Sequence, residues 1–284
     1  MTGTLVDGRP SWFGVLARGK LTQLTPRGVY AARMATRVRF ASSTGPLLAG
    51  LIDEPTEPVR GWGLFVHGLT LGKDCPAAAR ICKQLASDGI GMLRYDNLGL
   101  ADSEGDWGSG SFTQKVADTV EAARFLAERG TPIDLLVGHS LGGAAALAAA
   151  SQADAGAVVS IGAPIEPAHA EAQYDALVDR VLAEGEAEWL VGGRALTLRR
   201  SFVEDMRRAE LREAIRTLRR PLLVMHSPTD NTVGIANASE IFRTARHPRS
   251  FVSLEGSDHL LTKPGQAKRA GRIISAWADQ YLGD

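Results

Sequence analysis

Strand-length apolar runs alternate with helix-period segments along most of this sequence, and that alternation restricts the fold more than any other feature. The runs cover residues 62–66, 90–95, 133–137, 157–161, 222–225 and 251–254. They are continuous, which suits strands covered on both faces. Helical periodicity marks 75–87, 113–129, 141–151, 239–245 and 266–281. Strand and helix repeated in this way specify an α/β fold: a mostly parallel, roughly eight-stranded, doubly wound sheet. Residues 36–41 (TRVRFA) alternate at period two, and 47–52 follow a Thr-Gly-Pro turn, so these two are expected as an antiparallel pair. Ligands of such sheets bind beyond the carboxyl ends of the strands.

The alternation breaks once. Residues 163–220 hold amphipathic helix patterns (AEAQYDALVDRVLA and SFVEDMRRAELREAIRTL) around the segment WLVGGRALTL. Gly192-Gly193 fits a two-residue primed hairpin turn. So long an excursion is poor as a bare loop and reads as a small helical cap with a hairpin, inserted between strands six and seven. The core would then comprise 36–162 and 221–284. Residues 1–35 are an extension of unread role.

Composition excludes several partners. Lys+Arg and Asp+Glu are each 32, so the net charge is zero and neither nucleic acid nor an anionic membrane is favoured. No run approaches the ~18 apolar residues of a membrane span. No apolar signal segment opens the chain, so a cytoplasmic location is the default. Cys75 and Cys82 lack zinc spacing and read as idle thiols. At 284 residues the core needs no metal or disulfide staple.

The chemistry concentrates in LVGHSLGGAAALAAA, residues 136–150. Gly138-His139-Ser140-Leu141-Gly142 fits G-x-S-x-G, a weak pattern alone. A buried strand before it and a helix after it give it the context of a nucleophile elbow. The glycines allow a tight turn, Ser140 is held in strained backbone, and the helix N-terminus favours negative charge. The competing reading is a phosphate-type glycine turn or plain close packing. A serine hydroxyl needs an adjacent base. His259, in GSDHLL after the last strand, is on the same sheet edge. A carboxylate must then orient the base. Asp230, in SPTDNTV, is the first choice and Glu166 the rival; Asp258 adjoins His259 too closely. The order Ser140, Asp230, His259 fits a known chain order for such sites. An oxyanion would take the N–H groups of Leu69 and Leu141. His67 and Gly68 would shape that loop, and Asp74 would cap the next helix. Asp96, with Asp102, Glu104 and Asp106 nearby, reads as a turn-fixing residue, since a Ca²⁺ register is missing.

The stretches VHGLTLGKDCPAAARICKQLASDGIGMLRYDNLGLADSEGD, GHSLGGAAALAAA, IGAPIEPAHA, LLVMHSPTDNTVGIANASEIF and HPRSFVSLEGSDHLL, within about residues 60–282, carry a resemblance. The sequence resembles the α/β-hydrolase superfamily, and more narrowly the serine hydrolase domain associated with proteins similar to osmotically inducible protein C. That likeness implies an esterase-like serine hydrolase with Ser140, Asp230 and His259 at the triad positions. Gly68 stands where such sequences often carry a cysteine, and no fused second domain is expected after Asp284. The expected reaction is cleavage of a small-molecule carboxylic ester through an acyl-enzyme, without metal or organic cofactor. Thioester or amide hydrolysis and acyl transfer would use the same residues, and a non-catalytic binding protein or a lyase is the alternative on this fold. Trp189, Leu190, Phe202 and Met206 of the cap could line an acyl pocket or pack the cap. Oligomeric state stays open.

Overall fold

The computed structural model describes residues 35–282. The expectation placed on residues 1–34, as an extension, lies outside them. Eight strands form one sheet in the order β1-β2-β4-β3-β5-β6-β9-β10. They are β1 (Thr36–Ala41), β2 (Leu47–Asp53), β3 (Gly61–Val66), β4 (Ile90–Tyr95), β5 (Leu135–His139), β6 (Ala157–Ile161), β9 (Leu222–His226) and β10 (Arg249–Ser253). β1 and β2 pair antiparallel from Thr36↔Ile52 to Ala41↔Leu47. β2 is antiparallel to β4, and every pair from β4 to β10 is parallel.

Two apolar layers cover the sheet. On one face lie α1 (Pro76–Ser87) and α8 (Gln266–Ala278), packed through Ile81, Leu85, Ala270 and Ile274. On the other lie α2 (Phe112–Glu128), α3 (Leu141–Ala149) and α7 (Ala236–Thr244). β4, β5, β6 and β9 are buried at every position. That is why the sequence shows continuous apolar runs there.

Between β6 and β9 the chain forms short helical turns, α4 (Val178–Glu184), a hairpin of β7 (Glu186–Val191) and β8 (Arg194–Arg199), α5 (Arg200–Arg208) and α6 (Arg212–Thr217). Gly192 and Gly193 both have positive φ, 57° and 76°, as the primed turn requires. The hairpin alternates, with Ala187 and Trp189 inward and Glu186, Glu188 and Leu190 outward. It is fastened to the core by Arg194, which donates to the Thr70 carbonyl at 3.0 Å, and by Arg199, which pairs with Asp106.

The loop after β4 shows what its acids do. Asp96 is fully buried and accepts from Lys73 Nζ at 2.6 Å; Asp102 accepts from the same ammonium at 2.6 Å. Burial lowers the Lys73 pKa, and the two carboxylates more than reverse it. Glu104 pairs with Arg39. Each acid meets a cation of the chain, in keeping with a turn-fixing role. The expectation for Asp74 fails: α1 follows Cys75, with Pro76 at its first position and no side-chain cap. Asp74 instead pairs with Arg94, whose guanidinium also holds Asp53 at 2.7 Å. Cys75 is half-buried and Cys82 buried, both free. Burial raises both thiol pKa values, which suits inert thiols. Among the described residues, no helix is long and apolar enough to cross a membrane.

Candidate active site

Ser140 is the single residue between β5 and α3. A turn this tight has no room for side chains on its flanks. A Cβ on Gly138 would stand 2.2 Å from the Gly142 carbonyl oxygen, and one on Gly142 would stand 2.1 Å from that of Val66. Ser140 itself is held at φ 56°, ψ −128°, a conformation that costs on the order of 1–3 kcal/mol for a non-glycine residue. Its N–H donates to Ile161 and its carbonyl accepts from Gly143, both at 2.8 Å. Ala144, Ala145 and Ala146 are fully buried behind it. Their small side chains let α3 lie close to the sheet, with its N-terminal N–H groups beneath the serine.

Three loops at the carboxyl edge of the sheet converge on this turn. His259, after β10, has Nε2 3.0 Å from Ser140 Oγ. Its Nδ1 lies 2.7 Å from Asp230 Oδ2, in the loop after β9. With Nδ1 protonated, the ring donates to the carboxylate and leaves Nε2 free to accept the serine proton. The other oxygen of Asp230 accepts from the N–H groups of Thr232 and Val233, each at 2.9 Å. Burial pushes this carboxyl pKa up, but the hydrogen bonds from His259, Val233 and Thr232 and the nearby His259 charge bring it below the ordinary range. The acid therefore stays ionised at neutral pH.

The loops of Asp230 and His259 are also clipped to each other. Ser227 Oγ donates to the Ser257 carbonyl at 2.6 Å, and Leu254 N–H to His226 at 2.8 Å. His139 Nε2 donates to the backbone carbonyl of His259 at 2.7 Å. His139 thus faces away from Ser140, onto the backbone of His259. Nothing local in the motif signals this contact, which joins residues 120 apart. Asp258 turns outward and accepts from Thr262 and Lys263. Glu166 lies at the surface against Arg212, 3.2 Å away.

The loop after β3 carries the other amide of interest. His67 Nδ1 donates to the Gly68 carbonyl at 2.9 Å, and its Nε2 accepts from Asn97 N–H at 3.3 Å. In a trans peptide the C=O and the following N–H point opposite ways. Holding the Gly68 oxygen thus aims the Leu69 N–H away from His67. Farther along, Lys73 N–H is fixed to Asp96 at 2.7 Å and its carbonyl to Arg94 at 2.7 Å. Among the described residues, neither Leu69 N–H nor Leu141 N–H meets an acceptor. Two free amides beside a strained serine are the pattern that holds an oxyanion.

Three histidines here are buried neutral bases. Burial lowers the pKa of His67, His139 and His226, and brings His139 to about 4, with the neighbouring His259 charge adding to the effect. An unfolded histidine titrates near ~6.5. Between about 6.5 and 4 the unfolded chain takes up protons that the fold refuses, so stability falls as pH falls through that window. The melting temperature should therefore drop steadily from pH 6.5 to 4, and His139→Gln should make the drop shallower. Thermal melts at half-unit pH steps check this; an unchanged slope would assign the acid sensitivity to other groups.

The four residues expected at an acyl pocket divide. Trp189 and Phe202 are buried against Trp107, with ring centroids 5.6 and 4.8 Å away. Met206 is wholly buried. Leu190 is 72% exposed on the outer face of the hairpin, because Trp189 takes the inward position of the alternation. Of the four, Phe202 borders a narrow cavity that also touches Leu69, Leu141 and Trp107. Lys115 of α2 borders the same cavity and was not anticipated. The signal was present: Phe112, Lys115, Asp118, Thr119, Ala122, Ala123 and Leu126 are the buried residues of that helix, and charged side chains on a core stripe are out of place.

A family model described as the alpha/beta hydrolase family matches residues 64–270. The esterase domain of a Rhodothermus marinus protein is 39% identical over 88% of this chain and 100% of that one, with a TM-score of 0.70. A putative hydrolase from Agrobacterium vitis S4 is 20% identical over 86% and 98% of the two chains, with a TM-score of 0.69. Est1E from Butyrivibrio proteoclasticus, solved with ferulic acid bound, is 15% identical over 86% and 98%, with a TM-score of 0.70. These last two share the fold. No curated protein matches the chain.

Proposed function

The chain belongs to the alpha/beta hydrolase family and is an enzyme of the hydrolase class, and from that premise we propose that it is a serine hydrolase cleaving small carboxylic esters through an acyl-enzyme. The observation that carries this reading is the unbroken line from Ser140 Oγ to His259 to Asp230, at 3.0 and 2.7 Å. The esterase domain that is 39% identical supports it. In this reading residues 163–220 serve as the cap over the strand ends, and the narrower resemblance to the osmotically inducible protein C-associated hydrolase domains is in keeping with an esterase-like serine hydrolase.

In this mechanism His259 Nε2 takes the Ser140 hydroxyl proton as Oγ attacks the acyl carbon. Asp230 keeps Nδ1 protonated and stabilises the imidazolium. The Leu69 and Leu141 N–H groups bind the oxyanion, helped by the α3 N-terminus. As the C–O bond to the alcohol breaks, His259 returns the proton to the leaving oxygen. Water, deprotonated by Nε2, then attacks the acyl carbon and releases the acid, and Ser140 regains its proton. Because the Leu69 amide sits on a loop fixed by His67, Lys73 and Arg94 and the Leu141 amide opens α3, the donors need little rearrangement during the reaction.

Profiling 4-nitrophenyl esters of increasing acyl length tests this function. The expected result is turnover of short acyl groups with a fall for long ones, since the space beside Leu69 and Leu141 is narrow. Absence of turnover on every length would favour a binding protein on this fold.

A further inference from the structure

The cavity beside Leu69 and Leu141 is bordered by a lysine that the mechanism above does not use. Lys115 belongs to the buried stripe of α2; its side chain borders the cavity while its Nζ is shut off from water, so the flexible stem must turn to bring the ammonium into that space. Among the described residues this Nζ has no hydrogen-bond acceptor. Burial pushes its pKa down to about 7; Asp118 and the Cys75 thiol only partly oppose this. A methionine would fill the same volume without the cost of an unpaired buried ammonium. An anion arriving from outside would raise that pKa again and hold the ammonium charged.

The location says which part of a substrate that would be. Along the sheet edge the order is β4, β3, β5, β6, β9, β10. His259 and Asp230 follow β10 and β9, on one side of Ser140. The cavity is lined by Leu69 and Leu98, from the loops after β3 and β4, on the other side. A leaving oxygen must sit against His259 to receive its proton. The acyl chain, remote from that oxygen, then extends past Leu69 and Leu141 toward Lys115. The space open to the centre of a water there is about 30 Å³. That is room for a group of roughly two waters, the size of a carboxylate.

Resting on the serine-hydrolase reading, we propose that Lys115 is a specificity determinant which pairs with a carboxylate at the far end of a short acyl chain, so that the preferred substrates are monoesters of dicarboxylic acids. Asp118 lines the same cavity. Its Oδ1 already accepts from Ser43 N–H, Ser43 Oγ and Gln114 Nε2, at 2.8, 3.1 and 2.8 Å, and it makes no ion pair with Lys115. Its negative charge tempers the attraction and does not replace it.

The test compares 4-nitrophenyl esters of glutarate, glutaramate and valerate, which match in chain length and differ at the end group. The wild-type kcat/KM should be at least tenfold higher for the glutarate monoester than for the other two, as a charge-assisted hydrogen bond gives. Lys115→Met should erase that preference, bringing the glutarate monoester down to the level of the valerate ester, and melt no lower than wild type. Equal wild-type rates on all three esters overturn the proposal whatever the variants do, and so does a preference that survives Lys115→Met. A glutaramate rate equal to glutarate would replace the carboxylate by a neutral acceptor and overturn it too. Failure on every ester, valerate included, would overturn the serine-hydrolase reading and this proposal with it.

Discussion

Ser140→Ala should lower kcat on a short aryl ester by roughly 10⁴–10⁶-fold, the loss found when a nucleophile of this kind is removed. The prediction follows from what the alanine leaves behind. His259 still pairs with Asp230, the Leu69 and Leu141 amides still face the site, and substrate still binds, but no oxygen is in place to form the acyl-enzyme. KM should change little. The fold should persist, because alanine keeps the backbone contacts of Ser140 to Ile161 and Gly143. Ser140→Gly adds a stability readout. It should be equally inactive, yet it relieves the φ of 56°. With on the order of 1 kcal/mol released, its melting temperature should exceed that of Ser140→Ala by about 2–4 °C. A glycine variant that melts lower would mean that the turn is not strained at this residue.

Asp230→Asn should reduce kcat by about 10⁴-fold, the effect expected when an amide stabilises the wrong imidazole tautomer. In the wild type the carboxylate accepts from His259 Nδ1 and from two backbone N–H groups. Asparagine can keep the backbone bonds through its oxygen while turning an NH₂ toward Nδ1. That forces the proton onto Nε2, where it blocks acceptance from Ser140. The loop should therefore stay folded while the chemistry stops. Glu166→Gln should remain within a few-fold of wild type, because that carboxylate is a surface partner of Arg212 and Glu240 offers Arg212 a second acceptor at 2.7 Å. Comparison of the two rates on one substrate decides which acid orients the base. A larger loss at Glu166 would move the acid to the loop after β6.

The line of three loops was legible in the sequence because each candidate follows an apolar run that had to be a buried parallel strand. Parallel strands deliver their following loops to one edge, so Ser140, Asp230 and His259 could be grouped without any distance. Boundaries were less legible. Residues 133–137 read as the fifth strand, but pairing begins at Leu135 and continues to His139. Apolar character starts earlier than the ladder because Ile133 is buried outside it, and a histidine closes a strand that hydropathy cuts short. Asp74 has the composition of a helix cap, yet a buried arginine 20 residues on claims it. The role of His139 and the burial of Lys115 depend on contacts between distant loops and layers. No local pattern encodes those, except the helical stripe that puts Lys115 among core residues.

The most direct test of the account is labelling by a fluorophosphonate at neutral pH, read by intact mass and peptide mapping. The probe reacts with a serine only when a base has activated it and an oxyanion site receives the phosphoryl oxygen. The account predicts one adduct per chain, located on Ser140, abolished in Ser140→Ala and strongly slowed in His259→Ala. Folded protein that stays unlabelled, or that carries its adduct on another residue, would contradict it.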